Sequence, residues 1–270
     1  MPRSIARAAG ISNIIAAMNL PRFYCREALA PGAHVELPEP VARHAVRVLR
    51  LPPGAPMVLF DGRGGEYPAR IERIERDRVL AELGAWDDAE RESPLAVTLV
   101  QALQAGEKMD FTIQKAVELG VRDIVPVTSR RSVMRLDGER AGRRVAHWQG
   151  VAAAACEQCG RNQVPLVAPL EKLDAWLSRP VPAGTLRLML APDADAALAS
   201  LPRAGAVQLL VGAEGGLDPQ EVIAARHAGF VPVRLGPRVL RTETAGLAAL
   251  AALQVLWGDL MGGEADVRIG

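Results

Sequence analysis

From Leu95 onward the chain alternates short apolar runs with longer stretches of mixed polarity. Leu95–Leu103 (LAVTLVQAL) is almost continuously apolar and predicts a strand buried on both faces. Glu107–Leu119 predicts a helix, closed by Gly120 as a C-terminal cap. Ile124–Val127 predicts the next strand, and Asp137 to about Gln158 a long helix. Leu186–Ala191, Val207–Val211 and Val231–Leu235 predict further strands, with helices over Pro219–Ala228 and Thr244–Trp257. This alternation predicts an α/β domain around a mainly parallel sheet. Ligands of such sheets bind beyond the carboxyl ends of the strands, so the chemistry is expected in the loops that follow them.

Residues 22–85 follow another pattern. Met57–Phe60, Glu66–Ile74 and Val79–Leu83 alternate in part and predict strands, punctuated by turns at Pro53-Gly54 and Asp61-Gly62. Val41–Arg50 predicts a short helix whose stripe of Arg43, His44, Arg47 and Arg50 is either a solvated face or a binding face. Trp86–Pro94 (WDDAERESP) reads as a linker. Residues 1–21 carry Arg3 and Arg7, no acid and a short apolar run around Ile14 and Ile15. A secretory signal needs a longer apolar core, and a transit peptide fits only loosely. A translation start placed too early, with Met18 the real one, is the preferred reading. The expected organisation is an extension over residues 1–20, a β-rich unit over 21–90 and an α/β domain over 93–270.

Composition removes several classes. Of the 270 residues, 49% are hydrophobic and 23% charged, which excludes a disordered chain. No run reaches the roughly eighteen apolar residues that a membrane helix needs. Cys25, Cys156 and Cys159 are too few for a disulfide framework, which points to a reducing, cytoplasmic compartment. The Cys156–Cys159 pair has no second pair and no histidine pair beside it, and His34, His44, His147 and His227 form no metal spacing. No serine lies in a GxSxG context. The net charge of +1 conceals a bias, because lysine is confined to Lys108, Lys115 and Lys172 and the remaining basic charge is arginine. Genome composition explains that bias, and so does recognition of phosphate by planar guanidinium groups. Between Thr128 and His147 six arginines, including Arg130, Arg131 and Arg135, face two acids, a local basic patch suited to a polyanion.

Three loops follow the last three predicted strands: Pro192–Asp195, Gly212–Pro219 (GAEGGLDP) and Gly236–Ala245 (GPRVLRTETA). The second lacks both the Lys-Ser/Thr of a phosphate loop and GxGxxG spacing. The helix after it opens on its own acids, with Asp218 at the N-cap, Pro219 at the first helical position and Glu221 three after the cap. Together with Glu214 they repel phosphate and suit a neutral or cationic ligand approached closely by glycine backbone. A glycine-rich turn without a ligand is the alternative. In the third loop a capped helix start accounts for Thr242 and Glu243 but leaves Arg238 and Arg241 unexplained.

These motifs, in this order, carry a resemblance. From Pro21-Arg22-Phe23 to about Asp259 the chain resembles the RsmE family, 16S ribosomal RNA methyltransferases that modify ring nitrogen 3 of a uridine and belong to the SPOUT superfamily. The likeness includes His44 with Val48-Leu49-Arg50, and Leu59-Phe60-Asp61-Gly62 with Glu66-Tyr67. It continues through Lys108-Met109-Asp110, Lys115 with Glu118-Leu119-Gly120-Val121, Arg131-Ser132-Val133, and Glu157-Gln158 with Arg161 and Pro165. It ends in Val211–Gly216 and in Leu235-Gly236 with Leu240–Ala245. Ala213 stands where the family usually has proline, and Cys156 and Cys159 replace small residues around the Glu-Gln pair.

The resemblance implies an α/β fold with a trefoil-knotted parallel sheet, preceded by a small PUA-like β-barrel for RNA. It implies a homodimer through the knotted domain, 16S rRNA of the small subunit as partner, and S-adenosylmethionine held in the knot loops. Its cofactor residues would be Leu190, Leu210, Gly212, Glu214, Gly215, Gly216, Leu235, Gly236, Val239, Leu240, Thr242 and Ala245. RNA would be met by Arg22, Arg43, His44, Arg47, Arg50, Arg130 and Arg135. The target nitrogen lies on the pairing edge of uracil, so the base must be unpaired, lose a proton and have its negative charge stabilised. Arg131, Arg161 and Arg241 are the candidate arginines, and Glu157 and Glu243 the candidate acids. A simple Glu157–Arg161 pair one helical turn apart is the alternative for those two. No metal is expected, since a sulfonium is already an activated leaving group. Methylation at another RNA position, or RNA binding without catalysis, are the competing functions.

Overall fold

The computed structural model describes residues 20–76 and 78–261, so the expected extension lies, but for Leu20, outside the described residues. Two compact units emerge. The first holds the described residues up to Glu92 together with Cys156–Val164, and the second holds Ser93–Ala155 and Pro165–Met261.

The first unit is built on a five-stranded sheet in the order β1-β3-β4-β5-β2. Its strands are β1 (Arg22–Tyr24), β2 (His34–Glu36), β3 (Pro56–Phe60), β4 (Tyr67–Glu75) and β5 (Arg78–Leu83). Only the β1–β3 pair is parallel. Along β4 the alternation puts Tyr67, Ala69 and Ile71 inside and Pro68, Arg70 and Glu72 outside, until a bulge between Ile71 and Arg73 shifts the register. Phe23, Met57, Leu59, Val79 and Ala81 complete the core. The predicted helix over Val41–Arg50 starts earlier and ends sooner. It is α-helical over α1 (Glu39–Arg43) and widens into a π-turn over His44–Val48. Arg50 then takes a left-handed φ of 55°, and Pro52 disfavours helical geometry at Leu51.

Trp86–Pro94 is no free linker. Asn162 donates to the Ala89 carbonyl at 2.6 Å, Gln163 to Glu90 at 2.6 Å and Arg91 to the Gly160 carbonyl at 2.9 Å. Three groups of this segment are met by polar groups 69–73 residues away.

The second unit carries seven parallel strands. These are β6 (Ala96–Ala102), β7 (Asp123–Thr128), β8 (Leu166–Val167), β9 (Glu171–Lys172), β10 (Thr185–Leu190), β11 (Ala206–Val211) and β12 (Val231–Val233). Six lie in the order β12-β10-β11-β6-β7-β8, and β9 adds to β7. The helices are α2 (Lys108–Glu118), α3 (Gly138–Cys159), α4 (Leu173–Leu177), α5 (Pro219–His227) and α6 (Thr242–Trp257). Val97, Leu99 and Val100 of β6 are fully buried, as expected for a central parallel strand. Strands of two or three residues, such as β1 and β8, show no period in sequence, which is why the hydrophobic pattern misses them. Because β12, β10 and β11 are neighbours, the loops after them meet at one end of the sheet.

Leu99→Ala removes a fully buried side chain from the central strand. It is expected to cost about 3 kcal/mol, read from urea unfolding followed by tryptophan fluorescence.

Candidate functional site

The three loops enclose a cavity of about 440 Å³ within the second unit. Its apolar wall includes Leu190, Val211, Leu235, Val239 and Leu240, and Lys108, Glu214, Arg238, Arg241 and Glu243 supply the charge. Gly212, Gly216, Gly236, Thr242 and Ala245 also line it. Two of the expected cofactor residues stand apart from this lining: Leu210 is fully buried, and Gly215 faces Arg131. The sequence reading did not single out Lys108, Ala191, Pro192, Val211, Leu217 or Val233 as cofactor residues, and all of them line the cavity.

The glycine loop is positioned by its backbone. A Cβ at Gly212 would stand 2.9 Å from the carbonyl carbon of Gly216 and 3.0 Å from the Leu217 nitrogen, so only glycine lets the loop fold onto itself. Beyond it α5 carries the expected capping box. Asp218 Oδ1 accepts from the Gln220 N–H at 3.0 Å, and Glu221 Oε2 accepts from the Asp218 N–H at 2.9 Å. Glu221 also accepts from the Arg130 N–H at 2.7 Å, and the Arg130 guanidinium bonds Gln220 and lies 3.6 Å from Asp218.

Thr242 does something other than cap. Helix α6 begins at Thr242, and its N-cap Arg241 makes no side-chain cap. The Thr242 hydroxyl donates to the Gly212 carbonyl at 2.5 Å and accepts from Gln101 Nε2 at 3.1 Å. Gln104 is fully buried, and with its amide oxygen and nitrogen exchanged so that both find partners it accepts from the Glu243 N–H at 3.2 Å and donates to the Lys108 carbonyl at 3.2 Å. The signal for these glutamines is present in sequence, as two amides at the end of an otherwise apolar strand, but nothing there names their partners.

The acids at the cavity share one cation. Lys108 Nζ lies 3.3 Å from Glu214 Oε1 and 3.8 Å from Glu243 Oε2. Burial opposes ionisation of Glu214, but the N–H groups of Ala105 and of Glu214 itself, with the Lys108 ammonium, outweigh it and hold the carboxyl below its usual value.

The candidate catalytic residues separate. Arg241 and Glu243 line the cavity, and Arg131 donates from Nη1 to the Gly215 carbonyl at 2.9 Å. Glu157 and Arg161 belong to the first unit. They do not form the helical pair weighed for them. Glu157 Oε1 accepts from the Tyr24 N–H at 2.8 Å, and Arg161, beyond the end of α3, grips Glu92 with Nε 3.0 Å and 3.1 Å from its two oxygens. Burial pushes the Glu157 carboxyl above its usual value, against the Tyr24 N–H and the charges of His44 and Arg22. Cys156 is buried, its thiol donates to the Gln163 carbonyl, and burial pushes its pKa up to about 12, which describes an inert thiol.

Among the candidate RNA residues, Arg22 is engaged internally, bonding Glu66 at 2.6 Å and Asn162 at 2.5 Å and lying over the Phe60 ring. Arg43, His44, Arg47 and Arg50 are exposed on α1 and the turn after it, above buried Ala42 and Ala45. Arg43 and Arg47 share a second cavity with Arg76. Arg135 is exposed in the second unit.

With this geometry in hand, comparison with known proteins is decisive. Residues 91–254 match the model of an RNA methyltransferase domain, and residues 37–84 match that of an RNA methyltransferase PUA domain. A ribosomal RNA small subunit methyltransferase E from Buchnera aphidicola is 32% identical over 89% of this chain and 98% of its own. The chain belongs to the ribosomal RNA small subunit methyltransferase E family. Another family protein, from Mycobacterium bovis, is 36% identical over 79% of this chain and 83% of its own. The family member from Neisseria gonorrhoeae, solved bound to S-adenosyl methionine, is 46% identical over 89% of this chain and 99% of that one, with a TM-score of 0.85. A Legionella pneumophila structure in complex with the same cofactor is 36% identical over 90% of this chain, with a TM-score of 0.86.

Two outcomes test this geometry. Gly212→Ala forces Cβ against the backbone of Gly216 and Leu217 and is expected to weaken nucleoside binding at least about tenfold by calorimetry. For Glu157, the raised folded pKa means that its contribution favours folding below the unfolded value of about 4.3 and is lost as pH rises through the folded one. Glu157→Gln keeps an acceptor for Tyr24 and removes the titration. Its urea midpoint is therefore expected to rise relative to the wild type as pH climbs above the unfolded value of about 4.3.

Proposed function

We propose that this chain methylates ring nitrogen 3 of a uridine in the 16S RNA of the small ribosomal subunit, with S-adenosylmethionine as donor. The observation that carries the reading is the cavity at the carboxyl ends of β10, β11 and β12, in a chain of this family. The residues present fit the cofactor. Leu190, Val211, Leu235 and Leu240 offer an apolar wall for an adenine ring, and the close-folded glycine loop offers backbone. Glu214 and Glu243 offer carboxylates to a cationic ligand, while Asp218 and Glu221 hold the helix end where a phosphate would dock. When bound, S-adenosylmethionine supplies an activated methyl group on a cationic sulfur.

The protein's own residues supply the rest. The attacking nitrogen gives up its proton, and the uracil ring then carries negative charge that a fixed guanidinium stabilises. Arg131, anchored on the Gly215 carbonyl, and Arg241, on the cavity lining, are the side chains we assign to that charge. Glu243 is the acid of the original set that lies on the same cavity. Residues 21–90 we read as the RNA-binding module, through the exposed arginines of α1 and its following turn. The half-exposed Val255 and Leu256 of α6, with Phe111 of α2, we read as part of a homodimer surface, and the cytoplasm as the compartment.

Arg131→Ala is expected to lower methyl transfer to small-subunit RNA by about a hundredfold or more while leaving the affinity for S-adenosylmethionine within about twofold. Transfer of labelled methyl followed by mapping of the modified nucleotide measures the first, and calorimetric titration with ATP and NAD as controls measures the second. Full activity of Arg131→Ala would remove the arginine from the mechanism. Label at any other position would replace the substrate assignment.

A further inference from the structure

We propose that Lys108 is a built-in competitor of the ligand's positive charge: it holds Glu214 and Glu243 in the free protein and so sets how strongly the site prefers S-adenosylmethionine over its neutral product, S-adenosylhomocysteine. The inference rests on the cofactor reading above and concerns a residue outside the catalytic set.

The position of Lys108 is its first argument. It is the first residue of α2, whose N-cap Glu107 makes no side-chain cap. An ammonium there opposes the helix dipole, which favours anions at that end. Local structure therefore gives no reason for a cation. The tertiary structure does, through the two carboxylates at 3.3 Å and 3.8 Å. They come from the glycine loop and the start of α6, more than 100 residues further on.

The second argument is the state of the acids. Glu243 Oε2 is buried and has no hydrogen-bond partner, so the ammonium at 3.8 Å is what balances it. Glu214 Oε1 receives the Ala105 N–H at 3.0 Å and the Lys108 ammonium. All three side chains line the cavity, and the lysine keeps 35% of its side chain exposed on a flexible stem. Two carboxylates and one ammonium give this group of three a net charge of about −1, while Arg238 and Arg241 carry positive charge elsewhere on the lining.

Methyl transfer changes the ligand's charge. The S–C electron pair stays on sulfur as the new N–C bond forms, and the N3 proton leaves to solvent, so a sulfonium becomes a neutral thioether. A sulfonium beside Glu214 and Glu243 is bound better than the neutral product by their local negative charge. Lys108 weakens that preference by competing for the same carboxylates, and it returns to both when the positive charge is gone. Excess affinity for the donor would raise no rate once the site is filled, so a moderated preference suits turnover.

Calorimetric titration of the whole protein with each nucleoside tests this. Lys108→Met is expected to tighten S-adenosylmethionine and leave S-adenosylhomocysteine nearly unchanged, widening the ratio of their Kd values about tenfold at low salt. Lys108→Arg, which keeps the charge, is expected to stay near the wild-type ratio. Glu243→Gln is expected to narrow the ratio. If Lys108→Met weakens both ligands alike, the lysine contacts the part they share, such as the amino-acid carboxylate, and the proposal is overturned. An unchanged ratio overturns it as well. Failure of the wild type to bind either nucleoside overturns the cofactor reading itself and the inference with it, whereas tight binding with an insensitive ratio overturns the inference alone.

Discussion

The hydroxyl of Thr242 ties together two of the three loops that enclose the site. It donates to the Gly212 carbonyl and accepts from Gln101, so one side chain joins the end of β6, the glycine loop after β11 and the first residue of α6. Each of these groups is buried or nearly so, and an unmade bond there carries the full desolvation cost of a polar group. The bonds of Thr242 therefore fix how these segments meet, although Gln101 Oε1 beside them is buried without a hydrogen-bond partner. With its amide in the orientation that satisfies both ends, Gln104 extends the same constraint to α2 through the Glu243 N–H and the Lys108 carbonyl.

That scaffold decides the electrostatics. Once α2 and α6 are held against the glycine loop, Glu214 and Glu243 each fall within ion-pair distance of Lys108, in a partly desolvated wall where charges act more strongly than in water. The acids of the α5 capping box occupy the helix end that would otherwise attract a phosphate. Arg131 reaches the same loop through the Gly215 carbonyl, which fixes its guanidinium with no carboxylate in ion-pair range among the described residues.

The two units divide the remaining candidates for physical reasons. Glu157 lies near the end of a 22-residue helix, and the last turn of that helix belongs to the first unit, where the carboxylate meets the Tyr24 N–H. Arg161 follows Gly160, whose φ of +86° turns the chain out of the helix, so the one-turn spacing that suggested a Glu157–Arg161 pair does not exist in space. Glu92 takes that arginine instead. Helical periodicity extends a sequence reading only as far as the helix does, and the residues that end α3 are the ones that mattered.

Sequence alone determined the alternation of strands and helices, the three loops that come to line one cavity, and the capping acids of α5. These depend on local period, turn residues and helix-end electrostatics, which act over a few residues. The tertiary structure alone decided that Gln101 meets Thr242 across 141 residues, that Lys108 sits on Glu214 and Glu243, and that Trp86–Pro94 is pinned to Gly160–Gln163. The reason lies in the sheet. Strand order follows from hydrogen bonding and the burial of faces, so β11 lies between β10 and β6, and chain neighbours and spatial neighbours part company.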